Sequence, residues 1–121
     1  MIVDPALAFE QYCYLTTRGR RTGQLRTIEI WFGLNGDTVY MLSGGRDRSN
    51  WVRNLQRDPM VTVRISAVTY AGRARLVKPG TDEDALARQL LLVKYSPGES
   101  DLSEWGKTAL PVAVDLMNQV S

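Results

Sequence analysis

The dipeptide Asn35-Gly36 constrains this chain more than any other feature. On one side lies Arg26–Phe32, which alternates: Thr27, Glu29 and Trp31 point one way, Ile28, Ile30 and Phe32 the other. That pattern predicts a half-buried strand. On the other side lies a second strand-like run, Thr38-Val39-Tyr40-Met41-Leu42. Asn-Gly between two such runs predicts a tight hairpin, because both central residues of a type I′ turn need positive φ. The neighbouring strands must then be antiparallel.

The rest of the chain repeats this logic. Gln11–Thr17 is rich in aromatic and β-branched residues and predicts a strand. Gly19-Arg20-Arg21-Thr22-Gly23 ends it in a turn. Met60–Ile65 and Ala67–Val77 alternate, the second broken by Gly72, and Leu110–Leu116 reads as a last strand. Asp47 or Ser49 caps a helix over Asn50–Arg57, which packs through Trp51, Val52 and Leu55 and stops at Asp58-Pro59. Thr81-Asp82-Glu83-Asp84 opens a second helix, with acids at the positive end of its dipole. Its expected apolar stripe is Leu86, Leu90, Leu91 and Val93, ending near Tyr95. Ser96–Lys107 is polar and reads as loop. Six strands in hairpins with two helices predict a mainly β fold: an antiparallel barrel or sandwich with helices over its openings. At 121 residues, one domain spanning 1–121 is expected.

Missing residues narrow the chemistry. There is no histidine and one cysteine, Cys13. That excludes, within one chain, a zinc site of His and Cys ligands, a His-dependent nucleophile and a disulfide. No metal is expected, and an enzyme of this composition borrows its reactivity from an organic cofactor. A single cysteine suits a reducing cytoplasm. No apolar run approaches the ~18 residues of a membrane span. The start Met1-Ile2-Val3-Asp4-Pro5 lacks signal-peptide features.

Charge is unevenly placed. Residues 1–78 hold 12 Lys/Arg against 6 Asp/Glu, and residues 79–121 hold 3 against 7. The basic side is nearly all arginine: Arg18, Arg20, Arg21 and Arg26, then Arg46, Arg48, Arg53 and Arg57. A planar guanidinium suits phosphate and carboxylate. Any one of these arginines also reads as solvated surface, but the glycine-flanked pair Arg20-Arg21 favours anion contact. A net charge of +2 and the lack of a recognised motif argue against nucleic acid as partner. Trp31, Trp51 and Trp105 also read as plain core residues. Cys13 reads as a buried small apolar group, and Glu29 as the partner of a nearby arginine.

The run Leu15-Thr16-Thr17-Arg18-Gly19-Arg20-Arg21-Thr22-Gly23-Gln24-Leu25-Arg26 resembles the signature of the deazaflavin-dependent nitroreductase and quinone reductase family. That family sits among the split β-barrel flavin and deazaflavin oxidoreductases. Leu42-Ser43-Gly44-Gly45, Trp51-Val52-Arg53-Asn54-Leu55 and Asp58-Pro59 agree in order and spacing, as does Pro111-Val112-Ala113-Val114. The resemblance is strongest over Leu15–Pro59, 45 of 121 residues.

It implies a six-stranded split barrel with two flanking helices, holding the deazaflavin coenzyme F-420 in a groove. It also implies hydride transfer to a small activated acceptor: a quinone, enone or nitro compound. By position, Arg20, Arg21 and Thr22 would lie near the coenzyme's phosphate and acidic tail. Arg26, Trp31 and Phe32 would line the ring. Ser43, Gly44 and Gly45 would approach it with backbone groups, and Trp51 and Asn54 would close the pocket. Ser43, Tyr40 or an arginine would stabilise charge arriving on the acceptor, and water would supply the proton. The resemblance further implies a homodimer.

Three departures from the family pattern stand out. Glu29 replaces a common proline. Trp31 replaces a common tyrosine, so a tyrosine's proton-donor role is not carried over. The Ser-Gly-Gly loop lacks a lysine, a role open to Arg46 or Arg48. The short N-terminus implies that a helix covering the substrate side in some relatives is absent. An FMN-binding reductase or carrier of the same fold, or a non-catalytic deazaflavin-binding protein, are the alternatives. The long anionic tail of F-420 matches this basic half better than the shorter tail of FMN.

Overall fold

The computed structural model describes residues 1–98 and 101–120. In chain order it holds β1 (Cys13–Arg18), β2 (Leu25–Ile30), β3 (Gly33–Asn35), β4 (Thr38–Ser43), α1 (Asn50–Arg57), β5 (Met60–Ile65), β6 (Val68–Leu76), α2 (Asp82–Tyr95), α3 (Ser103–Thr108) and β7 (Leu110–Gln119). A 3-10 turn at Pro5–Phe9 precedes them. All seven strands form one antiparallel sheet in the order β2-β1-β5-β6-β7-β4-β3. The first and last strands of that order, β2 and β3, are consecutive in the chain. Trp31 and Phe32 carry the backbone from one edge of the sheet to the other. The sheet therefore curls into a half-barrel, open along the free edge of β2.

Four expectations are corrected. The strands number seven, not six: the strand expected over Arg26–Phe32 ends at Ile30, and a further short strand, Gly33–Asn35, forms beyond it. The Phe32 N–H donates to the Tyr95 hydroxyl at 3.0 Å instead of to a strand, which breaks the ladder there. The hairpin turn sits at Gly36-Asp37, with Asn35 inside β3. Only Gly36 has positive φ, at +60°, which is the pattern of a Gly-X turn of type II′ rather than type I′. The stretch read as loop contains α3, within its described part; residues 99 and 100 of it lie outside the described residues. The buried stripe of α2 is Ala87, Leu91 and Tyr95, while Val93 faces solvent.

Apolar residues fill two layers. Inside the half-barrel, Leu15, Phe32, Val39, Met41, Val52, Leu55, Val63, Ile65, Val112 and Val114 are buried together. Each such side chain contributes about 1.5–3 kcal/mol on burial. A second layer lies under α2, where Tyr40, Leu42, Val77, Ala87, Leu91, Tyr95 and Ala113 pack. Alternation along β4 makes both layers possible: Val39 and Met41 face inward, and Tyr40 and Leu42 face α2. β6 shifts register between Ala71 and Gly72. A Cβ on Gly72 would lie 2.6 Å from Val114 Cγ1 and 3.0 Å from the Asp115 carbonyl oxygen, so only glycine fits.

Outside the barrel Arg75 joins α2 to the sheet. Its guanidinium donates to both Glu83 oxygens, at 2.6 and 2.7 Å, and to Asp115 at 2.7 Å. Among the described residues no helix is long and apolar enough to cross a membrane.

Candidate functional site

Two hollows are lined by successive stretches of β2. The larger, about 940 Å³, is lined by Thr17, the turn Gly19–Thr22, Leu25–Ile28 and the start of α1 at Ser49, Asn50, Trp51 and Asn54. The smaller, about 460 Å³, is lined by Tyr12, Glu29, Ile30, Trp31, Leu42, Leu102 and Trp105. The first is basic and polar. The second is aromatic and apolar apart from one carboxylate.

The basic groove is built around a buried amide. Asn54 is 4% exposed. Its Oδ1 accepts from the Arg20 backbone N–H at 3.2 Å and from the Arg20 guanidinium at 2.9 Å. Its Nδ2 donates to Thr17 Oγ1 at 3.3 Å. Arg20 also donates to Asn50 Oδ1 at 3.2 Å. The turn closes on itself: the Gly19 N–H donates to the Gln24 carbonyl and the Gly23 N–H to the Gly19 carbonyl. Gly23 takes a φ of +74°, which glycine adopts without strain. The backbone N–H groups of Arg21 and Thr22 and the guanidinium groups of Arg21 and Arg26 have no partner among the described residues. Two unpaired backbone donors and two unpaired guanidinium groups around one groove are the kind of groups that a multiply charged anion requires. These donors fit a coenzyme that carries a phosphodiester and carboxylates.

The aromatic pocket depends on α2 and α3. Trp31 stacks on Tyr95 with centroids 4.3 Å apart and planes 4° apart. Trp105 meets Trp31 edge-on, at 5.7 Å and 86°. The Tyr95 hydroxyl accepts from the Phe32 N–H and donates to the Gln11 carbonyl at 2.8 Å. Burial pushes its pKa up to about 12, so it stays a neutral donor. Lys94 donates to the Phe32 carbonyl at 3.0 Å and lies 3.7 Å from the Phe32 ring centroid. Burial lowers its pKa to about 8. α3 is held by Arg88, which donates to the Gly106 and Lys107 carbonyls, and by Arg46, which donates to the Thr108 carbonyl. These bonds place Trp105 over Gly44, where a Cβ would lie 3.6 Å from the indole.

Of the residues singled out from sequence, Arg20, Arg21, Thr22, Arg26, Trp51 and Asn54 share the basic groove, and Trp31 lines the aromatic pocket. Phe32 is fully buried in the core and lines neither. Ser43 is 2% exposed, and its hydroxyl is engaged with the Arg46 carbonyl and Ser49 Oγ. Tyr40 points under α2, where its hydroxyl donates to Glu83 at 2.7 Å. Gly45 and Arg46 line neither hollow; they turn the chain towards Ser49 and α3. Cys13 is buried, and Glu29 is bonded by the Tyr14 hydroxyl at 2.9 Å rather than by an arginine. Sequence reasoning missed Asn50, Ser49, Tyr12, Leu102 and the Lys94-Tyr95 pair. Only the pairing of Leu102 with Trp105 at helical spacing offered a local signal.

An antiparallel half-barrel of this topology, with a basic groove and an aromatic pocket lined by successive stretches of one strand, defines a split-barrel protein. The model of the F-420H(2)-dependent quinone reductase family matches residues 6–117, and the chain belongs to that family. It is thus an enzyme, a reductase dependent on coenzyme F-420. Solved structures share the fold. One is an F-420-H(2) dependent reductase called FDR-A, 19% identical, with a TM-score of 0.70 over 86% of this chain and 93% of that one. Another, from Bacteroides thetaiotaomicron, is named for 5-nitroimidazole antibiotic resistance: 14% identical, TM-score 0.74, over 98% and 84%. The heme storage protein HutZ of Vibrio cholerae is 11% identical, with a TM-score of 0.73 over 90% and 83%. The fold thus serves more than one chemistry, and the site must carry the functional argument.

Proposed function

We propose that this enzyme reduces flat, activated acceptors of the quinone, enone or nitro type, with coenzyme in the basic groove and acceptor in the aromatic pocket. The observation that carries this reading is the succession of the two hollows along one strand, β2. Arg21, Arg26 and the N–H groups of Arg21 and Thr22 hold the anionic tail. Arg20 shapes the turn through Asn54, and Trp51 walls the groove. Bound there, the reduced coenzyme supplies a hydride.

The protein's part is to align the partners, and alignment alone removes a large share of such a barrier. Trp31 and Trp105 hold the acceptor flat. Their indole N–H groups make no hydrogen bond among the described residues and are free to donate to an acceptor oxygen as it gains charge. The hydroxyls of Tyr40 and Ser43 are committed elsewhere, so this role passes from them to the indoles. Water at the pocket mouth supplies the proton. Loop 43–46 supports the Trp105 wall. A cytoplasmic homodimer, one domain per chain, completes the reading.

The test is a tryptophan-fluorescence titration with coenzyme F-420 and, in parallel, FMN. The reduced coenzyme is then mixed with a naphthoquinone, an enone and a nitroarene. Micromolar or tighter F-420 binding, with FMN clearly weaker, is expected. Arg26→Ala should weaken F-420 by about tenfold or more, as loss of a charge-assisted bond does. Tight binding without turnover of any acceptor would reduce the protein to a carrier.

A further inference from the structure

Glu29 is the one charged residue lining the aromatic pocket. Its Oε1 accepts from the Tyr14 hydroxyl at 2.9 Å. No lysine or arginine lies within ion-pairing distance of it among the described residues. Arg64, on the same sheet face across Tyr14, spends its guanidinium on other groups: it sits over the Tyr14 ring, 4.2 Å from the centroid, and donates to the Ser66 carbonyl. A carboxylate without a cation thus stands beside Tyr12, Trp31 and Trp105. Aromatic walls with a carboxylate attract cations, because ring faces and carboxylate both present negative potential. The arginine-rich groove at the other end of β2 presents the opposite sign.

We propose that Glu29, with Tyr12, Trp31 and Trp105, forms a cation-accepting end of the acceptor pocket, so that the enzyme prefers flat acceptors bearing a positively charged substituent and rejects anionic ones. This rests on reading the aromatic pocket as the acceptor site. Glu29 is then a specificity-determining residue that leaves the hydride step alone.

The test uses three naphthoquinones: one unsubstituted, one carrying a quaternary ammonium group and one carrying a sulfonate. Calorimetry measures their binding to the protein without coenzyme, and steady-state kinetics measures their reduction. In the wild type the cationic probe should bind best and the sulfonate worst, each step about fivefold. Glu29→Gln should bring the charged probes to within about twofold of the neutral one, through KM rather than kcat. Glu29→Lys should invert the order. An order unchanged by either substitution would overturn the inference while the pocket reading stands. If the neutral probe fails to bind the wild type, or Trp105→Ala leaves its binding unaltered, the pocket reading itself falls.

Discussion

The Asn54 side chain, buried in α1, serves three groups at once: the backbone N–H of Arg20, its guanidinium, and Thr17 Oγ1. Replacing it leaves the Arg20 N–H and the Thr17 hydroxyl without their partner in a partly buried place, which costs about 1–3 kcal/mol. Asn54→Ala should lower stability in urea by that amount and also weaken coenzyme binding. Asn54→Asp should retain the contacts to Arg20 and regain much of the binding. An alanine variant of unchanged affinity would show that the turn holds its shape without the amide. The family resemblance placed Asn54 beside the groove but not its partners. Arg20 is 34 residues away, and no local pattern announces a bond across that distance.

At the level of elements, the acidic first turn of α2 does more than complement a helix dipole. The Arg75 and Tyr40 bonds to Glu83 hold its carboxyl down to about 2, with Arg75 the larger cause. A carboxyl whose folded pKa is depressed stabilises the protein above its unfolded value, and that stability is lost as pH falls towards the folded one. Stability should therefore decline between about pH 5 and pH 2, and Glu83→Gln should flatten that decline. The loss should be about 1 kcal/mol, since Arg75 and Glu83 are part-exposed and water screens them. Thermal unfolding of both proteins across that range would show parallel curves if the pair contributed nothing.

Elements with a strong local signal were legible in the sequence. α1 and β5 occupy the residues expected of them, Asn50–Arg57 and Met60–Ile65, although the expected side-chain cap of α1 does not form: the Ser49 hydroxyl is engaged with Ser43 instead. The failures have long-range causes. Alternation continues through Trp31 and Phe32, yet Tyr95, 63 residues later, takes the Phe32 backbone. α3 is a short polar helix tied down by distant groups: Arg88 and Arg46 bond its carbonyls, and its Trp105 packs on the layer under α2. β7 runs on to Gln119 because β6 pairs with it there, although Met117–Gln119 are exposed.

For the molecule as a whole, the outer face of β2, β1 and β5 bears on assembly. Leu25 is 64% exposed and Met60 44%, on the face that also carries Tyr14, Thr16 and Thr27. Exposed apolar side chains on a sheet face suit self-association. Light scattering at micromolar protein should give twice 13.6 kDa. A species of 13.6 kDa would confine each coenzyme groove to a single chain.

The free edge of β2 has one more consequence. A strand bonded on one side only leaves every second amide and carbonyl bare on the other, a template on which another chain can add. Here the same strand lines the two hollows proposed for cofactor and acceptor. Occupancy would shield what an empty protein leaves sticky, while Arg26 and Glu29 act as charged guards along it. Shelf life, not only turnover, then follows from whether the coenzyme is present.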